Sequence, residues 1–272
     1  MTHIHFNADC MDALKQLGDS SIDMVVTSPP YADARKREYG GPHPDKYAEW
    51  FLPVAEQIKR ILNPNGTFIL NIKEKTVKGE RHPYVIELIL ALRKQGWLWT
   101  EEWIWHKKNC FPGKWPNRFR DAWERCLQFN ISRKFKMNQE SVMVPIGDWA
   151  SDRLKNLNET DKTRDDSRSG SSFGKNVSNW VGRGMVFPTN VLHLPTECSN
   201  KNHPAAFPKT LPEFFIKLFT DEGNFVLDPF EGCGTTGLAA VGLRRKYIGI
   251  EMKKEYHETA THRINALAES LT

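Results

Sequence analysis

The sequence predicts an α/β protein built on a mostly parallel sheet with helices on both faces and an inserted region. Short apolar runs end abruptly in polar, Pro or Gly residues, and stretches with helical apolar spacing follow them. Between Ser132 and Ser199 this periodicity fades, which marks the insertion.

Taken in order, His3 to Asp9 and Ile22 to Ser28 read as strands. Between them Met11, Leu14 and Leu17 fall three apart, on one face of a short helix closed by Gly18. Tyr47 to Leu62 is an amphipathic helix stopped by Asn63-Pro64-Asn65-Gly66, and Thr67 to Ile72 is the next strand. His82 to Gln95 is a helix ended by Gly96. Trp97 to His106 is a Trp-rich strand that runs into the loop Asn109 to Asn117, and Glu124 to Ile131 is one more strand. Order returns with a helix at Leu211 to Phe219, a strand at Asn224 to Leu227, a helix at Thr236 to Leu243, a strand at Tyr247 to Ile250 and a helix at Glu255 to Leu271. The organisation expected is one domain in two halves, residues 1–131 and 200–272, around a partly irregular region, 132–199.

A chain of 272 residues can bury a sizeable core. Its 38 Lys and Arg against 33 Asp and Glu give a net charge of +5, which suits a polyanionic partner and many ordinary enzymes alike. The five cysteines (Cys10, Cys110, Cys126, Cys198, Cys233) form no Cys-x-x-Cys pair and are read as reduced thiols. The scattered histidines lack metal-ligand spacing, so no metal is expected. With no signal-like start and no apolar run of membrane-spanning length, the chain is expected to be soluble and cytoplasmic.

Two segments carry chemistry. Gly232-x-Gly234-x-x-Gly237 follows a strand and opens a helix, so small residues let the backbone approach a ligand that faces the helix N-terminus. Glu251 ends the next strand, 19 residues after Gly232, where it can accept from two ribose hydroxyls. That pattern alone also suits a nicotinamide dinucleotide, so an oxidoreductase stays open. Asp228 shifts the balance: a carboxylate beside the glycine turn repels a pyrophosphate but can hold the ammonium of a methionine moiety. S-adenosylmethionine has that ammonium and no phosphate. In an open parallel sheet ligands bind beyond the carboxyl ends of the strands, and Asp9, Ser28, Asp228 and Glu251 all fall at such ends.

The second segment is Ser28-Pro29-Pro30-Tyr31, where two prolines force a rigid turn at a strand end. An exocyclic amino nitrogen is a poor nucleophile, its lone pair being delocalised into the base. Acceptors for its hydrogens favour a pyramidal nitrogen, and Ser28 Oγ and the Pro29 carbonyl are such acceptors. Tyr31 offers a flat face for an extruded base. Methylation of a cytosine ring carbon would instead need a thiolate, usually after Pro, and none of the five cysteines follows Pro. A non-catalytic DNA-binding module is a further reading that these residues leave open.

Together these segments resemble the permuted, or beta-group, DNA amino-methyltransferases, in which the catalytic motif precedes the recognition region and the cofactor motif comes last. Asn7 to Leu14 looks like the adenine-contacting segment, which implies that Asp9 binds the cofactor adenine. Thr27 to Tyr31 looks like the catalytic motif. Trp103 to Asn109, with Lys107, Arg118-Phe119 and Glu124, looks like the segment that supports the target-base pocket. His203 to Pro208, with Phe207 and Pro208, resembles the segment flanking the methionine moiety. Asp228, Pro229, Phe230, Gly232, Gly234, Thr235, Thr236 and Tyr247 to Glu251 complete the cofactor site, with Cys233 where members often have Ser.

The resemblance implies a Rossmann-like S-adenosylmethionine-dependent methyltransferase fold and site-specific methylation of double-stranded DNA, as in restriction-modification systems. Members with Ser in the first catalytic position are mostly cytosine-N4 enzymes and those with Asp mostly adenine-N6 enzymes. Ser28 therefore places cytosine-N4 first and adenine-N6 as the alternative. Arg35, Lys36 and Arg37 after the catalytic turn, with Lys107, Arg118 and Arg183, are the expected DNA contacts. A homodimer and a separately encoded cognate restriction endonuclease are consistent with the family.

Overall fold

The computed structural model describes residues 2–34, 40–110, 113, 116–147, 155, 157, 182–196 and 207–271. The N-terminal half runs β1 (His3–Phe6), α1 (Cys10–Leu14), β2 (Ile22–Thr27), α2 (Tyr47–Ile61), β3 (Leu62–Ile72), a small hairpin of β4 (Thr76–Val77) and β5 (Glu80–Arg81), α3 (Tyr84–Lys94), β6 (Leu98–Lys107) and β7 (Trp123–Asn130). There follow β8 (Val144–Pro145), β9 (Met185–Val186) and β10 (Val191–Leu194). The C-terminal part comprises α4 (Thr210–Phe219), β11 (Phe225–Asp228), α5 (Thr235–Gly242), β12 (Lys246–Ile250) and α6 (Lys254–Ser270).

Eight strands form one sheet in the order β1-β12-β11-β2-β3-β7-β6-β10. Neighbours pair in parallel except where β7 lies antiparallel between β3 and β6. Seven of the eight strands therefore point the same way. The stop expected at Asn63 to Gly66 appears as an interruption of pairing: β2 matches Ile22 with Leu62 and then Met24 with Thr67.

Alternation along the strands divides the core. Val25, Leu227 and Ile248 pack with Phe51, Phe68, Trp97 and Phe129 beneath α1, α2 and α3. Their neighbours Met24, Val226 and Tyr247 are also buried but point to the other face, where α4, α5 and α6 lie. Both faces of the central strands are thus covered.

Packing separates the chain into residues 1–138 with 190–272, and residues 139–189. The second unit contains the β8–β9 pair. Val191–Leu194, inside the region expected to be partly irregular, is the edge strand of the main sheet, in register with Ile104 to Lys107. Among the described residues no helix is long and apolar enough to cross a membrane.

Candidate active site

Because seven strands share one direction, the carboxyl ends of β1, β2, β3, β6, β11 and β12 open on one edge of the sheet. The reversed β7 brings its first residues, including Glu124, to the same edge. A cavity of about 800 Å³ opens there. One wall is the turn Ser28, Pro29, Pro30 and Tyr31, with Asn71, Lys107 and Glu124; the other is Asp9, Pro229, Phe230, Gly232 and Glu251, with Phe207 between the motifs in sequence.

The turn is fixed from three sides. Thr27, fully buried at the end of β2, donates its hydroxyl to Asp228 Oδ1 at 2.6 Å. The buried Tyr47 donates its hydroxyl to the Pro30 carbonyl at 3.0 Å. Residues 40–42 fold back on the turn: Gly41 N donates to Ala34 O at 3.1 Å and Asp33 N to Pro42 O at 2.9 Å. A Cβ on Gly41 would lie 1.8 Å from the Tyr31 carbonyl oxygen, so only glycine permits this approach.

Tyr31 is held by its hydroxyl. It lies 2.7 Å from Glu124 Oε2 and 3.1 Å from both Asn71 Oδ1 and Ser28 Oγ. Burial, then the neighbouring Glu124 charge, keeps the phenol well above its ordinary pKa, so it stays protonated. Glu124 Oε1 accepts from Lys107 Nζ at 2.5 Å, and that ammonium stands 4.9 Å from the centre of the Trp105 ring.

On the cofactor side, Asp9 caps α1 by accepting from Met11 N at 2.8 Å. Glu251 accepts from Gly232 N at 3.0 Å and from Lys253 N at 2.8 Å, and burial raises its pKa. Trp50 and Phe230, with ring centroids 5.9 Å apart, give this wall an aromatic flank.

Asp228 does not line the cavity. It is 1% exposed, and its oxygens accept from Thr27, from Thr236 Oγ1 at 2.6 Å and from Phe230 N at 3.0 Å. Expected from sequence to hold an ammonium, it ties the catalytic strand to the first turn of α5 from behind the wall. Gly234, Thr235, Thr236 and Pro208 also lie outside the cavity lining. Residues 203–206 fall outside the described part of the chain.

Of the expected DNA contacts, Lys107 is inside the cavity and paired with Glu124. Arg118 Nη1 donates to Thr76 Oγ1 at 2.5 Å and stands 3.9 Å from Asp121, which also pairs with Lys73 and Arg81. Both are engaged inside the fold. Arg183 is exposed within the 139–189 unit, and Arg35, Lys36 and Arg37 lie outside the described residues.

Sequence reasoning passed over Asn71, Tyr47 and the pair His5–Glu231. Glu231 lies in the glycine segment itself, yet its side chain turns inward and accepts from His5 Nδ1 at 2.9 Å. Its carboxylate occupies the space over Gly249, where a Cβ would come within 2.3 Å. A charged residue inside a run of small and apolar ones was the available signal. Burial pushes the Cys10 thiol up to about 12 and that of Cys126 higher still, which holds both of these thiols in the protonated form.

The N6_N4_Mtase family, described as DNA methylase, matches residues 22–262. The type II methyltransferase M.PvuII of Proteus hauseri is 34% identical over 275 residues, covering 91% of this chain and 79% of that protein. M.BglII of Bacillus subtilis is 27% identical over 257 residues, covering 94% and 67%. Among solved structures, PvuII DNA methyltransferase (cytosine-N4-specific) aligns with a TM-score of 0.73 at 25% identity, over 100% of this chain and 93% of the other. A putative DNA modification methylase of Thermus thermophilus, complexed with S-adenosyl-L-methionine, aligns at 0.64 with 23% identity, over 98% and 95%. With the two motifs brought to one cavity and the family matched over most of its length, the chain belongs to the DNA methylase family and is a DNA methyltransferase.

Proposed function

We propose that the chain transfers the methyl group of S-adenosylmethionine to the N4 amino group of a cytosine extruded from double-stranded DNA. The observation that carries this reading is the shared cavity: the Ser28–Tyr31 turn and the Asp9, Gly232 and Glu251 segments line one space. A donor against one wall then lies beside an amino group against the other. The neutral Ser28 and the similarity to a solved enzyme named as cytosine-N4-specific support N4 over adenine N6.

The cofactor wall fits the donor. Each Glu251 oxygen already accepts one backbone N–H and keeps a lone pair for a ribose hydroxyl. Asp9 sits at the end of β1 to meet the adenine, and Trp50 and Phe230 supply the apolar flank a flat base needs. Bound S-adenosylmethionine supplies an electrophilic methyl group on a sulfonium. Asp228 serves this site indirectly, by joining Thr27 to Thr236 so that the turn and the glycine segment keep their spacing. Ser28 Oγ and the Pro29 carbonyl accept the amino hydrogens, which raises the nitrogen's nucleophilicity without a covalent enzyme intermediate. Arg35, Lys36 and Arg37 contact DNA phosphates, and the 139–189 unit, within the expected recognition region, contributes to reading the sequence.

The test is product analysis. DNA incubated with the protein and labelled S-adenosylmethionine is digested to nucleosides and separated. Label in N4-methylcytosine is expected, and label in N6-methyladenine would assign the alternative base. Ser28→Ala should abolish transfer while leaving cofactor binding within about three-fold, since the serine acts only on the amino group.

A further inference from the structure

The hydrogen bonds around Tyr31 have a fixed polarity. A carboxylate can only accept, and Glu124 Oε1 already accepts from the Lys107 ammonium at 2.5 Å. Tyr31 therefore donates its single proton to Glu124 Oε2, the closer and charged acceptor at 2.7 Å, rather than to Asn71 Oδ1 at 3.1 Å. Its oxygen is left to accept, and Ser28 Oγ is placed to donate to it at 3.1 Å. With its only hydrogen committed to Tyr31, Ser28 turns lone pairs toward the cavity. Asn71 is pinned in its own role, its amide donating to the Arg125 carbonyl at 3.1 Å.

We propose that Glu124 acts through Tyr31 to set Ser28 as an acceptor, and that the same chain removes the proton released by methyl transfer. This rests on the amino-methylation reading above. As the amino nitrogen forms its bond to the methyl carbon and the carbon–sulfur bond breaks, the nitrogen becomes cationic. Its proton passes to Ser28 Oγ, the Ser28 proton passes to Tyr31, and the Tyr31 proton passes to Glu124. The enzyme ends the step with Ser28 and Tyr31 neutral and Glu124 protonated, and solvent then returns Glu124 to the carboxylate. Glu124 lines the cavity, which gives the proton a route out. Glu124 is a positioning residue and terminal acceptor; Ser28 is the group that meets the base.

The experiment compares wild type, Tyr31→Phe, Glu124→Gln, Glu124→Asp and the Tyr31→Phe/Glu124→Gln double variant of the full chain. Labelled S-adenosylmethionine and high-molecular-weight DNA free of base methylation are the probes. General-base contributions of this kind are worth about 10²- to 10⁴-fold, so Glu124→Gln should lower kcat at least about 100-fold. KM for S-adenosylmethionine should stay within about two-fold, and Glu124→Asp should recover part of the rate. The double variant should be no slower than the worse single one, because both changes cut one chain. Losses that multiply, or a Tyr31→Phe enzyme with wild-type kcat, would overturn the proposal. The second outcome decides even if Glu124→Gln fails to fold, since Tyr31→Phe removes one oxygen and leaves the Lys107–Glu124 pair intact. A wild-type protein that binds S-adenosylmethionine but methylates no base would overturn the underlying reading instead.

Discussion

Asp228 shows how one residue can be recognised from sequence while its surroundings stay hidden. Its position at a strand end beside the glycines was plain, but its burial depends on Thr27, which lies 201 residues away in the chain. Desolvation pushes its pKa up to about 7 from the ordinary 3.8, against the opposing hydrogen bonds from Thr236, Thr27 and Phe230. The folded state thus holds a proton that the unfolded chain has already released. Stability from this group is full below the unfolded value and is lost as pH rises through the folded one. Linkage over that window is on the order of 4 kcal/mol. Asp228→Asn should therefore gain stability relative to wild type between about pH 4 and pH 7, measured by thermal melts without cofactor; parallel pH curves would contradict the assignment. Tyr47 gave no sequence signal beyond opening a helix, since its hydroxyl acts on Pro30 across a turn. Tyr47→Phe should cost about 1 kcal/mol of stability. It should lower kcat about ten-fold by loosening the turn, with cofactor affinity unchanged; an unchanged kcat would mean that the prolines alone hold the turn.

At the level of elements, the strands and helices were legible because each carries its own period, and most ends agree with the observed ones within a few residues. Two features were not legible. The direction of β7 is decided by its partners β3 and β6, and it alone explains how Glu124 reaches the carboxyl edge. The four residues of β10 are too few, among polar neighbours, to show a period before β6 recruits them. The catalytic turn is likewise an element assembled from two segments: Ser28 to Ala34 and residues 40–42 hold each other through backbone bonds. Gly41→Ala would put its Cβ 1.8 Å from the Tyr31 oxygen and 2.8 Å from the carbonyl carbon, and backbone cannot yield as a side-chain tip can. Displacing reacting groups by about 1 Å can cost 10²-fold in rate, so kcat should fall about 100-fold. Cofactor affinity should hold, because the Asp9, Gly232 and Glu251 wall is built on other strands. Equal losses in cofactor binding and kcat would show instead that the two walls are not independent.

The unit that carries the main sheet closes on itself in a way local periods cannot reveal. β1, from the first residues, pairs with β12 near the end, with His3 opposite Tyr247 and Phe6 opposite Ile250. Asn7 then donates to the carbonyls of Glu251 and Met252 at 2.9 and 3.1 Å, so the Asp9 and Glu251 sides of the cofactor wall are joined directly. From sequence, this closure followed only from placing functional residues at strand ends and from the family order of motifs. All eight strands of the main sheet and its flanking helices come from residues 1–138 and 190–272, so this unit contains the complete cavity wall described above. Replacing residues 140–188 by a Gly-Ser linker of about 20 residues, which spans roughly 25 Å, should therefore leave a folded core. Changes in loop length are cheap, about 0.6 kcal/mol per doubling, so the melting temperature should fall by only a few degrees. Calorimetric titration with S-adenosylmethionine should show affinity within about three-fold of the full chain, while methylation of DNA is lost. A variant that no longer binds S-adenosylmethionine would mean that the 139–189 unit supports the cofactor wall, and that recognition and donor binding are not divided between the two units.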